Sequence, residues 1–159
     1  MRELRMTKAA KRSGRSKSRQ VAALPWRIDE RRGLQVLMIT SRETRRWVIP
    51  KGGRMVGKTD AEAASVEAVE EAGVVGSLYE RPIGKFRYLK RLGPISGRMC
   101  VVSVYPLRVI VELGDLPERG QRDRQWMSRE QAARAVHEPD LAALILGFRP
   151  NLESSALED

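Results

Sequence analysis

The chain has 159 residues, 42% of them hydrophobic and 31% charged, which suits one globular domain with a real core and leaves little room for two. Its single cysteine, Cys100, excludes an intramolecular disulfide framework, and no apolar run approaches the roughly 20 residues that cross a bilayer. The formal net charge of +10 is uneven: residues 1–19 hold eight basic residues and one acidic residue, a net of +7, while the remainder carries only +3.

Residues 1–18 are rich in Lys, Arg and Ser without apolar periodicity and read as a disordered basic tail. A solvated arm and an arm that attracts RNA or acidic lipid are both open. No apolar secretion signal opens the chain, so a cytoplasmic protein without a membrane span is expected.

Gln20 to Ile28 reads as a strand in which Pro25 marks an edge position or a bend, and Asp29 to Gly33 as a charged turn. Leu34 to Thr40 is hydrophobic enough for burial on both faces, and Trp47 to Ile49 is a short strand after a polar loop. Pro50, Gly52 and Gly53 then predict a tight glycine turn, with Lys51, Arg54 and Lys58 adding positive charge.

Thr59 with Glu62 forms a capping box and Gly73 a stop, which predicts a helix from about Asp60 to Ala72. Glu67, Glu70 and Glu71, spaced i, i+3 and i+4, would project within an arc of about 100° on an α-helix. An acidic run is commonly a solvated face. Here, however, the carboxylates crowd the end where the macrodipole disfavours negative charge, and no Lys or Arg stands three or four residues away on the helix. Compensation from outside the helix is required, and a divalent cation held by hard oxygen ligands is the candidate, Mg²⁺ by default.

Beyond the helix, Val74 to Tyr79 and Ile83 to Leu89 read as strands, the second alternating Phe86 and Tyr88 with Lys85, Arg87 and Lys90. Aromatics in the core and a base-stacking face are both open readings. Leu92 to Gly97 is a hairpin turn, and Arg98 to Glu112 a long strand broken or bulged near Pro106. A loop to Asp123, a short strand from Gln125 to Met127 and a helix capped by Ser128 and Gln131 follow. The last helix, Pro139 to about Phe148, puts Leu141, Leu144, Ile145 and Phe148 on one face.

The run from Gly52 to Val74 resembles the Nudix hydrolase signature: Gly, five residues, Glu, seven residues, Arg-Glu, an aliphatic, any residue, Glu-Glu, any residue, Gly, an aliphatic. Gly52, Glu67, Glu70, Glu71, Gly73 and Val74 match it, whereas Lys58, Val66 and Ala68 stand at its first Glu, its Arg and its first aliphatic position. The resemblance implies an α+β fold, a mixed β-sheet sandwiched between α-helices, over residues 19–149, with 150–159 a frayed end. It also implies hydrolysis of a phosphoanhydride in a small polyphosphorylated substrate. Mg²⁺, or Mn²⁺ in its place, would be held by Glu67, Glu70 and Glu71, the catalytic carboxylates, assisted by Glu112, Glu118 or Asp123.

More narrowly, SRQVAALPWR, VLMITSRETRRWVIPKGG and RDRQWMS resemble the diphosphoinositol polyphosphate and dinucleoside polyphosphate hydrolase branch. In that branch Arg19, Ser41, Arg42 and Arg98 match phosphate-contacting positions, to be joined by Lys51, Gly52, Gly53 and Arg54. The alternatives are an RNA-end pyrophosphohydrolase that uses the tail, and a catalytically weak nucleotide- or RNA-binding module. Monomer and homodimer are both open.

Overall fold

The computed structural model describes residues 18–114 and 122–152. The expected tail, Glu118 and residues 153–159 lie outside the described residues, apart from Ser18, which opens the first strand.

The sheet is built on two parallel neighbours, β1 (Ser18–Asp29) and β7 (Gly97–Glu112), in register from Ser18 opposite Cys100 to Trp26 opposite Arg108. Shorter strands join them antiparallel. On β1, β4 (Lys51–Gly53) pairs with Gln20 to Ala22, and β2 (Gly33–Thr40) takes over from Trp26 to Asp29. On β7, β6 (Gly84–Arg91) pairs from Gly97 to Val104, and β5 (Val74–Leu78) from Leu107 to Glu112. β3 (Trp47–Val48) and β8 (Arg124–Met127) complete the eight strands on β2.

Two expectations about proline fail for one reason. Pro25 is not at an edge and Pro106 does not break its strand, since both lie inside continuous central strands; the irregularity of β7 falls at Ile110, where the register against β5 shifts between Val75 and Gly76. Pro25 falls where the partner of β1 changes from β4 to β2, and Pro106 where that of β7 changes from β6 to β5. A missing N–H removes no ladder bond at those gaps.

One face of the sheet is covered by α1 (Asp60–Glu67), whose buried residues are Ala61, Ala63, Ala64 and Glu67. Alanine both favours the helix and lets its backbone lie close over Val21, Ala23, Leu37 and Ile39. The other face is covered by α2 (Arg129–Ala135) and α3 (Pro139–Gly147), where Ala132, Leu141, Ile145 and Phe148 meet Leu24, Trp26, Phe86 and Val104. Both expected capping boxes form, Thr59 with Glu62 and Ser128 with Gln131. Phe86, 2% exposed, is core, so the base-stacking reading of β6 falls. Among the described residues no helix is long and apolar enough to cross a membrane.

The helix expected to run as one α-helix to Ala72 changes type. Ala68–Ala72 is a π-helical turn, closed by Gly73 in the left-handed region (φ 68°), whose N–H reaches the carbonyls of Ala68 and Val69. The wider turn redistributes the glutamates, leaving Glu67 buried, Glu71 half-buried and Glu70 exposed.

Ile145 is fully buried in the α3 core and Ile110 is 69% exposed on β7. Ile145→Ala should lower unfolding free energy by about 2–5 kcal/mol in urea titrations, and Ile110→Ala should have little effect.

Candidate metal and phosphate site

Gly52 and Gly53 are extended residues of β4 rather than a tight turn, and neither has positive φ; the turn comes later, at Gly57 (φ 79°). Gly52 is required for a different reason. A Cβ there would overlap the carboxylate of Glu67, so only glycine lets the buried glutamate lie against the strand. At Gly53 a Cβ would meet nothing within 4 Å.

Glu71 reaches the same strand one residue earlier, its Oε1 accepting the Lys51 N–H at 3.1 Å. The π turn and the short strand thus bring two carboxylates to successive residues of β4. Glu70, next to Glu71, is exposed. Among the described residues no three His, Cys, Asp or Glu side chains are gathered tightly enough to hold a metal ion as they stand. The donor chemistry and the Gly52 cradle do fit a hard divalent cation on Glu67 and Glu71.

The charge that the sequence argument assigned to a metal is partly supplied by the protein. Arg122 Nη2 stands 3.6 Å from Glu71 Oε2, with the two side chains 9% and 16% exposed. Arg124 donates from Nη1 to the carbonyls of Ala72 (2.9 Å) and Gly73 (3.3 Å) and from Nη2 to Leu113 O (3.1 Å). A cation on the last carbonyls is what the macrodipole favours. Neither arginine was singled out from sequence. The Arg-Asp-Arg alternation that leads into β8 is visible, but nothing local ties it to a helix some 50 residues earlier.

Across from the glutamates, the Lys51 ammonium lies 4.7 Å from the centroid of the Tyr88 ring, and Tyr88 Oη donates to Gln20 Oε1 at 2.7 Å. Burial, the largest cause, holds the Lys51 pKa below its usual 10.5, partly offset by the charges of Glu71 and Glu138. Tyr88 is pushed upward, chiefly by burial and then by Cys100. Nearby, Arg46 Nη1 and Nη2 both donate to Glu138 Oε2 at 3.3 Å, and the buried Glu138 Oε1 has no hydrogen-bond partner among the described residues.

The remaining expected phosphate ligands are more scattered. Ser41 closes its own loop, its Oγ 2.6 Å from Thr44 Oγ1 and accepting the Arg46 N–H at 3.0 Å. Arg54 Nε donates to Asp60 Oδ1 at 2.9 Å, and Arg42 is exposed on the Ser41 loop. Arg19 is exposed on β1 opposite Val101, and Arg98 is exposed on β7 opposite Lys90. Of the proposed helper carboxylates, Glu112 accepts Trp126 Nε1 at 3.1 Å and lies 3.7 Å from Arg27, and Asp123 pairs with Arg45.

Gly52→Ala must push Glu67 off β4 and should cost about 1–3 kcal/mol of stability, whereas Gly53→Ala should be near neutral by the same denaturant titration. Lys51 should also leave a pH signature. Its folded pKa is lowered, so the unfolded chain binds more protons between that value and 10.5, and stability should rise with pH across that window. Lys51→Met should flatten the rise in thermal melts taken across alkaline pH.

Residues 17–148 match the family model described as NUDIX domain. The chain is 39% identical over 102 residues to "Nudix hydrolase 12, mitochondrial" of Arabidopsis thaliana, covering 62% of this chain and 50% of that protein. It is 32% identical over 143 residues to "Nudix hydrolase 18, mitochondrial" of the same plant, covering 84% and 77%. The chain spans about half the length of the curated Nudix hydrolases 12 and 13, 50% and 54%. The crystal structure of the C. elegans Ap4A hydrolase shares the fold, with a TM-score of 0.57 at 16% identity over 89% of this chain and 98% of that one. Together with the signature helix on its glycine strand, the family match across most of the chain means that it belongs to the Nudix hydrolase family.

Proposed function

We propose that the chain is a divalent-dependent pyrophosphohydrolase acting on a small, highly phosphorylated substrate such as a diphosphoinositol polyphosphate or a dinucleoside polyphosphate. The observation that carries this is the convergence of Glu67 and Glu71 on β4 beside Lys51 and Arg122, an acidic metal wall next to a cationic one. Glu67, Glu70 and Glu71 would hold Mg²⁺, or Mn²⁺ in its place, which supplies Lewis acidity at the phosphate oxygens.

Lys51 and Arg122 bind and orient those oxygens, the guanidinium by its two-pronged geometry. Arg42, Arg19 and Arg98, exposed around the same sheet, extend the cationic surface for a longer phosphate chain. Glu67, buried and fixed on Gly52, positions the attacking water and accepts its proton at a carboxylate oxygen. Tyr88, held by Gln20, forms the wall behind Lys51. We place the chain in the cytoplasm, although curated relatives carry "mitochondrial" in their names.

The test is turnover, with Mg²⁺ and with Mn²⁺, of diadenosine polyphosphates, an inositol pyrophosphate and triphosphorylated RNA. Glu67→Gln and Glu71→Gln should each lower kcat by about 100-fold or more, and Arg42→Ala should raise KM with little change in kcat. RNA as the best substrate would replace the small-molecule assignment. If the folded wild type turns over none of them, the hydrolase reading fails in favour of a binding module.

A further inference from the structure

The Arg122–Glu71 pair stands apart from the surface ion pairs. Arg45 and Asp123, one residue along, are 51% and 67% exposed, whereas Arg122 and Glu71 are 9% and 16% exposed. The guanidinium is also anchored. Its Nη1 donates to Thr40 O at 3.1 Å, and the same threonine is tied to the next residue twice, through Thr40 N–H to Asp123 O (3.0 Å) and Asp123 N–H to Thr40 Oγ1 (2.8 Å). Thr40 is 4% exposed at the end of β2, so Arg122 is held in place by the sheet rather than by Glu71.

At 3.6 Å the contact with Glu71 is an ion pair rather than a hydrogen bond. It therefore acts through charge, and charge is what an arriving divalent cation would have to contend with. In a largely dehydrated cleft two cations close to one carboxylate repel strongly, because the effective dielectric is far below that of water. The helix supplies no competing cation of its own, since Val66 occupies the position beside Glu67. Lys51, also beside Glu71, adds a second positive charge.

We propose that Arg122 is a resident counter-cation for Glu71: it neutralises the carboxylate while no metal is bound, and so sets how tightly the site takes a divalent ion. This rests on the metal-site reading above. Arg122 is then a residue that tunes affinity through Glu71, and a substrate phosphate would receive the guanidinium once a metal has claimed the carboxylate.

The experiment is calorimetric titration of Mn²⁺, without substrate, into the full-length wild type, Arg122→Gln and Arg122→Lys. Glutamine can keep a hydrogen bond to Thr40 O but carries no charge, and lysine keeps the charge without the planar fork. Arg122→Gln should bind Mn²⁺ about tenfold tighter than wild type, and Arg122→Lys within about threefold of it. Unchanged or weaker binding by Arg122→Gln overturns the proposal, and weaker binding means that Arg122 orients Glu71 instead. If the glutamine variant does not fold, the lysine variant decides: a shift well beyond threefold would mean that shape rather than charge sets the affinity. Absence of Mn²⁺ binding by all three proteins removes the metal reading itself; equal binding by all three removes only the role of Arg122.

Discussion

Carboxylates at the C-terminal end of a helix packed flat on a sheet pose an electrostatic problem, since the dipole, the desolvation and their mutual repulsion all oppose the charge. Much of the chain is arranged around that problem. Alanines let the helix lie close to β1 and β2, and close packing is what brings Glu67 onto Gly52 and Glu71 onto the Lys51 N–H. Arg122 then faces Glu71, and Arg124 covers the carbonyls at the helix end. Two alternate residues of one strand entry thus carry one cation to the side chains and another to the backbone. The segment reaches the helix only because β8 pairs with β2.

This arrangement bears on Val66, the uncharged neighbour of Glu67. The helix keeps no cation of its own beside its glutamates, yet the fold does not leave them uncompensated. The charge comes from a side chain remote in sequence and tied to Thr40. Lys51 and the Arg46–Glu138 pair enlarge the same polar cleft on the side of Tyr88.

Local patterns were legible in the sequence, and long-range pairings were not. Capping boxes, the alternation of strands and the apolar stripe of α3 each depend on residues within a turn or two of one another, and these appear where expected. The glutamate spacing was legible for the same reason, but the π turn places the three side chains in different surroundings. What escaped was decided by distant partners. Arg122 and Arg124 have no signal beyond two arginines at the entry to a strand, and the glycine pair before the helix reads as a turn until Glu67 lies against Gly52. The π turn was equally hidden, because nothing in the composition from Ala68 to Ala72 departs from ordinary helix formers. Pro25 and Pro106 misled because their usual meaning assumes that a central strand has one partner on each side along its whole length.

Those two prolines also say something about how the sheet is assembled. Leu24 lies opposite Pro106, and Pro25 opposite Leu107, so the partner changes on both flanks occur at the same level. Below it β1 and β7 are flanked by β4 and β6, which carry Lys51, Gly52 and Tyr88; above it they are flanked by β2 and β5. β4 pairs only with β1 and β6 only with β7, so neither shares a ladder with β2 or β5. Within the sheet, a change of register in the strands that carry Lys51, Gly52 and Tyr88 therefore reaches the opposite half through β1 and β7 rather than by a direct ladder bond.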